Sequence, residues 1–173
     1  MSKLEELIQE LCPDGVEYKH INDICKSLAK GTLKQDKLKD TYEYPVMNSG
    51  RGFYGRFNEY NNNGNAITIA ARGEYAGYIN YIDCNFWVGG LCYPYRSIDE
   101  NQVLTKYIFY MLKNEEQKIM DTLVARGSIP ALNKSDIDKY KILVPPVEIQ
   151  GEVVHILDKF TLLTAELTAE LTA

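Results

Sequence analysis

The last stretch of the chain, Phe160 to Ala173, carries the tetrapeptide Thr-Ala-Glu-Leu twice in tandem, and it follows an amphipathic segment that starts after Pro145-Pro146. Prolines stop a preceding strand and are tolerated at a helix start, so this pattern predicts a helix from residue 147 onward. Ile149, Val153, Ile156, Phe160, Leu163 and Leu167 alternate spacings of four and three, the seam of a coiled coil. The next seam position holds Glu170, and the apolar residue slips to Leu171, so the tetrapeptide repeat leaves strict heptad spacing where it begins. Each added four-residue unit lengthens a helix by about 6 Å and turns it by roughly 40°. Such a segment acts as a ruler between whatever it joins, and a seam on an arm of this kind predicts a partner through Ile149, Val153, Ile156, Phe160, Leu163, Leu167 and Leu171.

The 173 residues suffice for one well-buried domain and this arm, with a boundary at Pro146: residues 1–146 and 147–173. No run of apolar residues is long enough for a membrane span, and Met1-Ser2-Lys3-Leu4-Glu5-Glu6 places carboxylates where an export signal needs an apolar core. The expected location is the cytoplasm. Cys12, Cys25, Cys84 and Cys92 are too irregularly spaced for a zinc site and too few for a disulfide scaffold, which predicts reduced, buried thiols.

Ser2-Lys3-Leu4-Glu5 reads as a capping box, with Leu4, Leu7, Ile8 and Leu11 at helical spacing behind it and Pro13-Asp14-Gly15 as the stop. A lysine-rich segment follows, Lys26, Lys30, Lys34, Lys37 and Lys39 around Gly31, most plainly a solvated helix or loop. Between Tyr42 and Arg96 the helical period vanishes. Short β-type runs (44–47, 66–70, 78–82, 86–88 and 92–93) alternate with glycine- and asparagine-rich loops, a turn-rich sheet. Residues 104–124 return to helical spacing as one helix; Ser135-Asp136-Ile137-Asp138 opens another, and 140–144 is a strand. The fold class is therefore α+β: a twisted sheet with flanking helices, and a long C-terminal helix.

The chain lacks the arrangements that catalysis needs. His20 and His155 have no neighbours at metal-ligand spacing, and there is no glycine-rich phosphate loop, no Gly-x-Ser-x-Gly elbow and no Asp/Asn-Pro-Pro-aromatic segment of the kind that grips a flipped base. What remains is a recognition surface. Nine of the thirteen tyrosines lie between residues 42 and 95, interleaved with Arg51, Arg56, Arg72, Arg96, Asn48 and the run Asn61-Asn62-Asn63. Arginine reads guanine bidentately and asparagine reads adenine, while loop amides and lysines hold phosphates. The net charge of −5 does not oppose this, because the acidic excess lies in residues 1–25 and 97–173; residues 26–41 carry +3 and residues 42–96 balance at zero. Tyrosine-rich loops also make protein interfaces, so composition leaves both readings open.

Four segments carry a family resemblance: Leu11-Cys12-Pro13-Asp14-Gly15-Val16-Glu17-Tyr18, Tyr44-Pro45-Val46-Met47-Asn48-Ser49-Gly50, Gly127-Ser128-Ile129-Pro130-Ala131-Leu132-Asn133 and Ile142 to Gln150. Together with the Thr-Ala-Glu-Leu repeats they resemble the specificity subunit of type I restriction-modification systems. The resemblance implies a target recognition domain, residues 1–146, that reads one half of a split site in double-stranded DNA, and a spacer helix, residues 147–173, that holds a second such domain at a set distance. Full subunits of that family have two domains and two spacers; this sequence has one of each and so resembles a half-length form, which would regain two-fold symmetry by pairing with a copy of itself. The resemblance further implies docking of modification subunits that bring the methyl donor, later joining of restriction subunits, and no cofactor or catalytic residue in this chain. Candidate DNA contacts are Asn48, Arg51, Arg56, Arg72, Tyr75, Arg126 and Ser128, with Lys30, Lys34 and Lys37 on the backbone. Arg51 and Arg72 lead, since flanking glycines allow close approach of the main chain. The alternative is a truncated specificity chain that sequesters modification subunits without reading DNA usefully.

Overall fold

In the computed structural model, which describes residues 2–172, a short helix α1 (Lys3–Leu11) opens the chain. The capping box is formed: the Glu5 amide donates to Ser2 Oγ and the Ser2 amide to the Glu5 carboxylate, at 3.3 and 2.7 Å. Strand β1 (Tyr18–His20), a single helical turn α2 (Ile21–Ile24) and β2 (Cys25–Ser27) follow. The lysine-rich segment that comes next is loop apart from one 3₁₀ turn, Gln35–Lys37.

The region expected as one sheet is two. Strands β2, β8 (Cys92–Ser97), β5 (Ala66–Ala70) and β6 (Ile79–Ile82) form an antiparallel sheet in that order. Strands β4 (Gly55–Phe57), β3 (Tyr44–Met47) and β7 (Trp87–Val88) form a second, in which β3 and β7 run parallel. The pleat of the larger sheet sorts its residues between two cores. Ile67, Ile69, Ile79 and Tyr95 join the helical side with Ile108, Leu112, Ile119 and Leu132, whereas Ala66, Ile82 and Cys92 meet Met47, Phe86 and Val88 of the smaller sheet. Every residue of β5 is buried, because both of its faces are covered. Pro94 is accepted inside β8 because its carbonyl receives the Leu28 amide just past the end of β2, where no further ladder donor is required.

The helix expected over 104–124 breaks into α3 (Thr105–Asn114) and α4 (Glu116–Leu123). Glu115 between them has ψ near 3°, and its carboxylate accepts from Lys118 and from the Tyr140 hydroxyl, which holds the chain in a turn. A small hairpin, β9 (Val124–Ala125) and β10 (Ala131–Leu132), precedes α5 (Lys134–Asp138), whose start matches the expectation within a residue. Strand β11 (Lys141–Leu143) pairs antiparallel with β1, and α6 (Val147–Thr172) forms the arm. All four thiols are free, but only Cys25 and Cys92 are buried; burial pushes both up to about 12. Cys84 is exposed on a turn, against the expectation of a core residue.

The arm is anchored by polar contacts. Gln150 is wholly buried: its Oε1 accepts the Leu104 amide at 2.9 Å and its Nε2 donates to the Gln102 and Pro145 carbonyls at 3.0 and 2.7 Å. About two turns further out, Asp158 accepts from Lys106 Nζ and the Tyr110 hydroxyl on α3, at 2.8 and 2.5 Å. Partial burial raises the Asp158 carboxyl, but those two donors and the Lys106 charge outweigh it and hold the group below the ordinary aspartate range. Ile149, counted with the partner seam from its spacing, is buried within its own domain, where α1 and α3 lie against the start of α6.

Candidate DNA-recognition face and arm

Three loops meet at one end of the sheets because main-chain hydrogen bonds stitch them together. The Ala71 amide donates to Leu91 O, the Leu132 amide to Ala71 O and the Gly73 amide to Pro130 O, all at 2.9 to 3.0 Å. Arg72 pairs with Ala131 as an isolated bridge. The loop after β3 is tied in by Asn48, whose Oδ1 accepts the Leu91 amide at 3.0 Å, while Gly89 lies so close to that side chain that a Cβ there would overlap it. Residues 48–51, 71–77, 89–91 and 126–131 therefore form one rim.

On this rim Arg51 stacks over Tyr75, with its guanidinium carbon 4.9 Å from the ring centre and 5.8 Å from that of Tyr78. Tyr78 is in turn covered on a ring face by Lys113 Nζ at 3.9 Å, and Lys113 is held by Ile79 O and the Glu116 carboxylate. A cation on an aromatic face is worth about 0.5–1 kcal/mol when exposed, enough to bias an arginine's direction without fixing it. Arg51 and Arg72 are exposed, and among the described residues neither has a carboxylate partner. Gly73, next to Arg72, has φ of 88°, a conformation that a side chain would strain. Lys30 reaches the same region: its Nζ lies 5.2 Å from the Tyr93 ring, and the Tyr93 hydroxyl donates to Leu132 O. Arg126 is exposed and ion-paired with Asp121 at 3.0 Å, a surface pair of little energetic weight; Ser128 is exposed near the hairpin tip.

The sequence-based candidates thus divide. Lys30, Asn48, Arg51, Arg72, Tyr75, Arg126 and Ser128 are on or beside the rim. Lys34 and Lys37 are exposed on the 3₁₀ segment, which joins β4 through the Lys39 amide and Arg56 O, and nothing links them to the rim. Arg56 is placed differently from the expectation of a DNA contact: its Nε donates to Tyr42 O at 2.6 Å and its Nη2 to Glu43 O, closing the turn ahead of β3. The asparagine run is equally committed to structure. Asn61 exchanges both amide bonds with Val88, Asn62 donates to Ala29 O, and Arg96 donates to the carbonyls of Asn63, Gly64 and Asn65. Lys113, Tyr78 and Leu91 were not among the candidates. Lys113 sits on a helix at a position indistinguishable from a solvated face, and no local spacing announces its contact with a residue 35 positions away.

Among the described residues no group of His, Cys, Asp or Glu is arranged to hold a metal ion, and no helix is long and apolar enough to cross a membrane. From Lys159 to Thr172 the arm is exposed, with Phe160, Leu163, Leu167 and Leu171 in open view and a groove of about 730 Å3 alongside, lined by Tyr110, Phe160, Thr164 and Thr168.

A family model described as the type I restriction modification DNA specificity domain matches residues 13–173. The chain belongs to this family. It is 32% identical to the specificity subunit of the Escherichia coli type I restriction enzyme EcoR124I/EcoR124II over 99% of this chain and 44% of that subunit. It is 25% identical to the type I restriction enzyme MpnII specificity subunit of Mycoplasma pneumoniae, over 85% of this chain and 44% of that one. In fold, this specificity-family chain superposes on the S subunit of a type I restriction-modification system from M. genitalium with a TM-score of 0.77 at 22% identity, covering 90% of this chain and 42% of that structure. The HsdS subunit of Thermoanaerobacter tengcongensis gives 0.67 at 16% identity, with 96% and 44% covered. The specificity-family chain spans less than half the length of each of these relatives.

Proposed function

We propose that this chain is a DNA-reading module of a type I restriction-modification complex: its domain reads one half of a bipartite site, and its arm sets the distance to a second domain, supplied by a second copy. The observation that carries the reading is the rim itself, where three loops are locked by main-chain bonds while the guanidinium groups of Arg51 and Arg72 have no carboxylate partner among the described residues. In the proposed arrangement Arg51 and Arg72 reach base edges, with Asn48, Tyr75, Arg126 and Ser128 beside them. Lys30 holds backbone phosphate near the rim, and Lys34 and Lys37 do so from the flanking segment. Arg56 has no part in it, because its donors are engaged by its own loop. Catalysis and the methyl donor belong to modification subunits that dock on the arm, in the cytoplasm, with restriction subunits joining that complex. The acidic balance fits this division, since few phosphate contacts by one module give weak DNA binding until partners complete the channel.

A second reading, an interaction module that captures modification subunits without reading DNA, is favoured by one observation: the most extended exposed apolar surface lies on the arm, not on the rim. One experiment separates the two. The chain is co-purified with a type I modification subunit, and the methylated adenines in DNA exposed to the complex are sequenced. Methylation at a symmetric, interrupted motif is the expected result; stable assembly with no sequence-defined methylation would overturn DNA reading in favour of capture.

A further inference from the structure

Strand β6 ends the larger sheet, and its outer edge at Ile79 is closed by two side chains instead of another strand. The Ile79 amide donates to Glu116 Oε2 at 2.8 Å, and Lys113 Nζ donates to Ile79 O at 3.0 Å and to the same carboxylate at 2.6 Å. That suffices to blunt a sheet edge. Lys113 does something further, because the same ammonium stands 3.9 Å from the centre of the Tyr78 ring, and the Arg51 guanidinium stands 5.8 Å from that centre. Tyr78 directly precedes Ile79, so the bonds that close the edge also set where ring and ammonium meet. On the other side of Tyr78, Gly77 has φ of 91° and lies so close to Met120 of α4 that a Cβ there would overlap it. The turn that carries Tyr75 and Tyr78 is thus seated on the helices at the Glu115 break.

We infer that Lys113 is a positioning residue for DNA reading: by occupying Tyr78 it keeps the Arg51 guanidinium on Tyr75. The inference rests on the reading of Arg51 given above and adds what aims it. Two rings compete for this arginine, at 4.9 and 5.8 Å, and an exposed cation–π contact with either biases its direction by roughly two- to five-fold. Lys113 removes the competition in two ways. Its ammonium already takes the attraction that Tyr78 offers a cation. It also repels a second cation there, because two groups 3.9 and 5.8 Å from one ring centre are closer to each other than a Debye length of about 10 Å. Both effects push Arg51 the same way, toward Tyr75. Lys113 itself is held back from DNA, since Ile79 O and the Glu116 carboxylate engage its donors.

The test measures base preference position by position: the full chain, co-purified with a type I modification subunit, selects from a randomised DNA library and the bound sequences are counted. Lys113→Gln removes the charge and keeps an amide donor for Ile79 O. It is expected to lower the preference at the position that Arg51 reads by roughly two- to five-fold, to leave the other positions unchanged, and to add nothing to Arg51→Ala. Lys113→Arg, which keeps the charge, is expected to lie near the parent. Tyr78→Leu removes the competing ring and is expected to keep the parent preference at that position; a loss there would make the ring a support for Arg51 and overturn the inference without recourse to any Lys113 variant. No change in Lys113→Gln, a uniform loss at every position, or a loss additive with Arg51→Ala reduces Lys113 to closing the sheet edge and likewise overturns the inference, while Arg51 stands as a reader. An Arg51→Ala chain that keeps all the parent preferences, or a parent that selects no motif, overturns the reading of Arg51 and the inference together.

Discussion

The rim and the asparagine clamp at residues 61–65 use the same residue types in opposite ways. On the clamp, Arg96 lies over three loop carbonyls at once, and Asn61 and Asn62 close bonds to a strand, at Val88, and to a loop, at Ala29, far away in sequence. On the rim, the main-chain groups of the loops already satisfy one another, through Ala71, Leu91, Pro130 and Leu132, so Arg51 and Arg72 are left over. The lesson is that an arginine in a loop becomes available to a ligand when the loop's own carbonyls have other donors. Residue type alone does not say which case applies.

The sharpest way to break the comparison is at Gly64, where a Cβ would overlap the Asp83 carbonyl, a backbone group that cannot swing aside. Gly64→Ala is expected to destabilise the domain by about 3 kcal/mol, a fall in Tm of roughly 6 to 12 °C by calorimetry; an unchanged Tm would show that the clamp is not tightly packed. Arg96→Ala leaves three carbonyls without their donor and should lower stability by about 2 kcal/mol in urea titration, with the order of preference among DNA sequences unchanged. Arg72→Ala is the converse: stability within about 0.5 kcal/mol of the parent, and a loss of about 1 to 3 kcal/mol on the cognate site that relaxes one base position. A uniform loss on every DNA would reassign Arg72 to phosphate, and a stability loss like that of Arg96→Ala would erase the distinction between the regions. The smallest effect is expected at Tyr75. Tyr75→Ala removes the ring beneath Arg51 and should weaken cognate binding by about 0.5–1 kcal/mol, whereas Tyr75→Phe keeps the ring face and should lie near the parent in the same filter-binding assay.

Much of the fold was legible beforehand. The capping box at Ser2, the strand ending before Pro145 and the helix after Pro146 are all formed, because each depends on residues within a few positions of one another. The single helix expected over 104–124 was wrong at Glu115, where the turn is held by Tyr140, a residue 25 positions away that no periodicity reports. The two sheets read as one because their strands alternate along the chain, and only pairing tells which neighbours which. In the candidate site, glycines beside Arg51 and Arg72 marked two loops that the structure brings together on one rim. Arg56 and the asparagines carried the same local signature and proved to be structural, and Lys113 carried none.

The sequence by itself determined the arm, its stripe, its repeat and the helix start after Pro146, since helix period and proline geometry are local properties of the chain. Tertiary structure decided what those elements meet: that Ile149 belongs to the domain while Phe160 is open, and that Arg96 is bound while Arg72 is free. The physical reason is that burial and hydrogen-bond satisfaction are settled between segments tens of residues apart, by which donors reach which carbonyls first once the layers have packed.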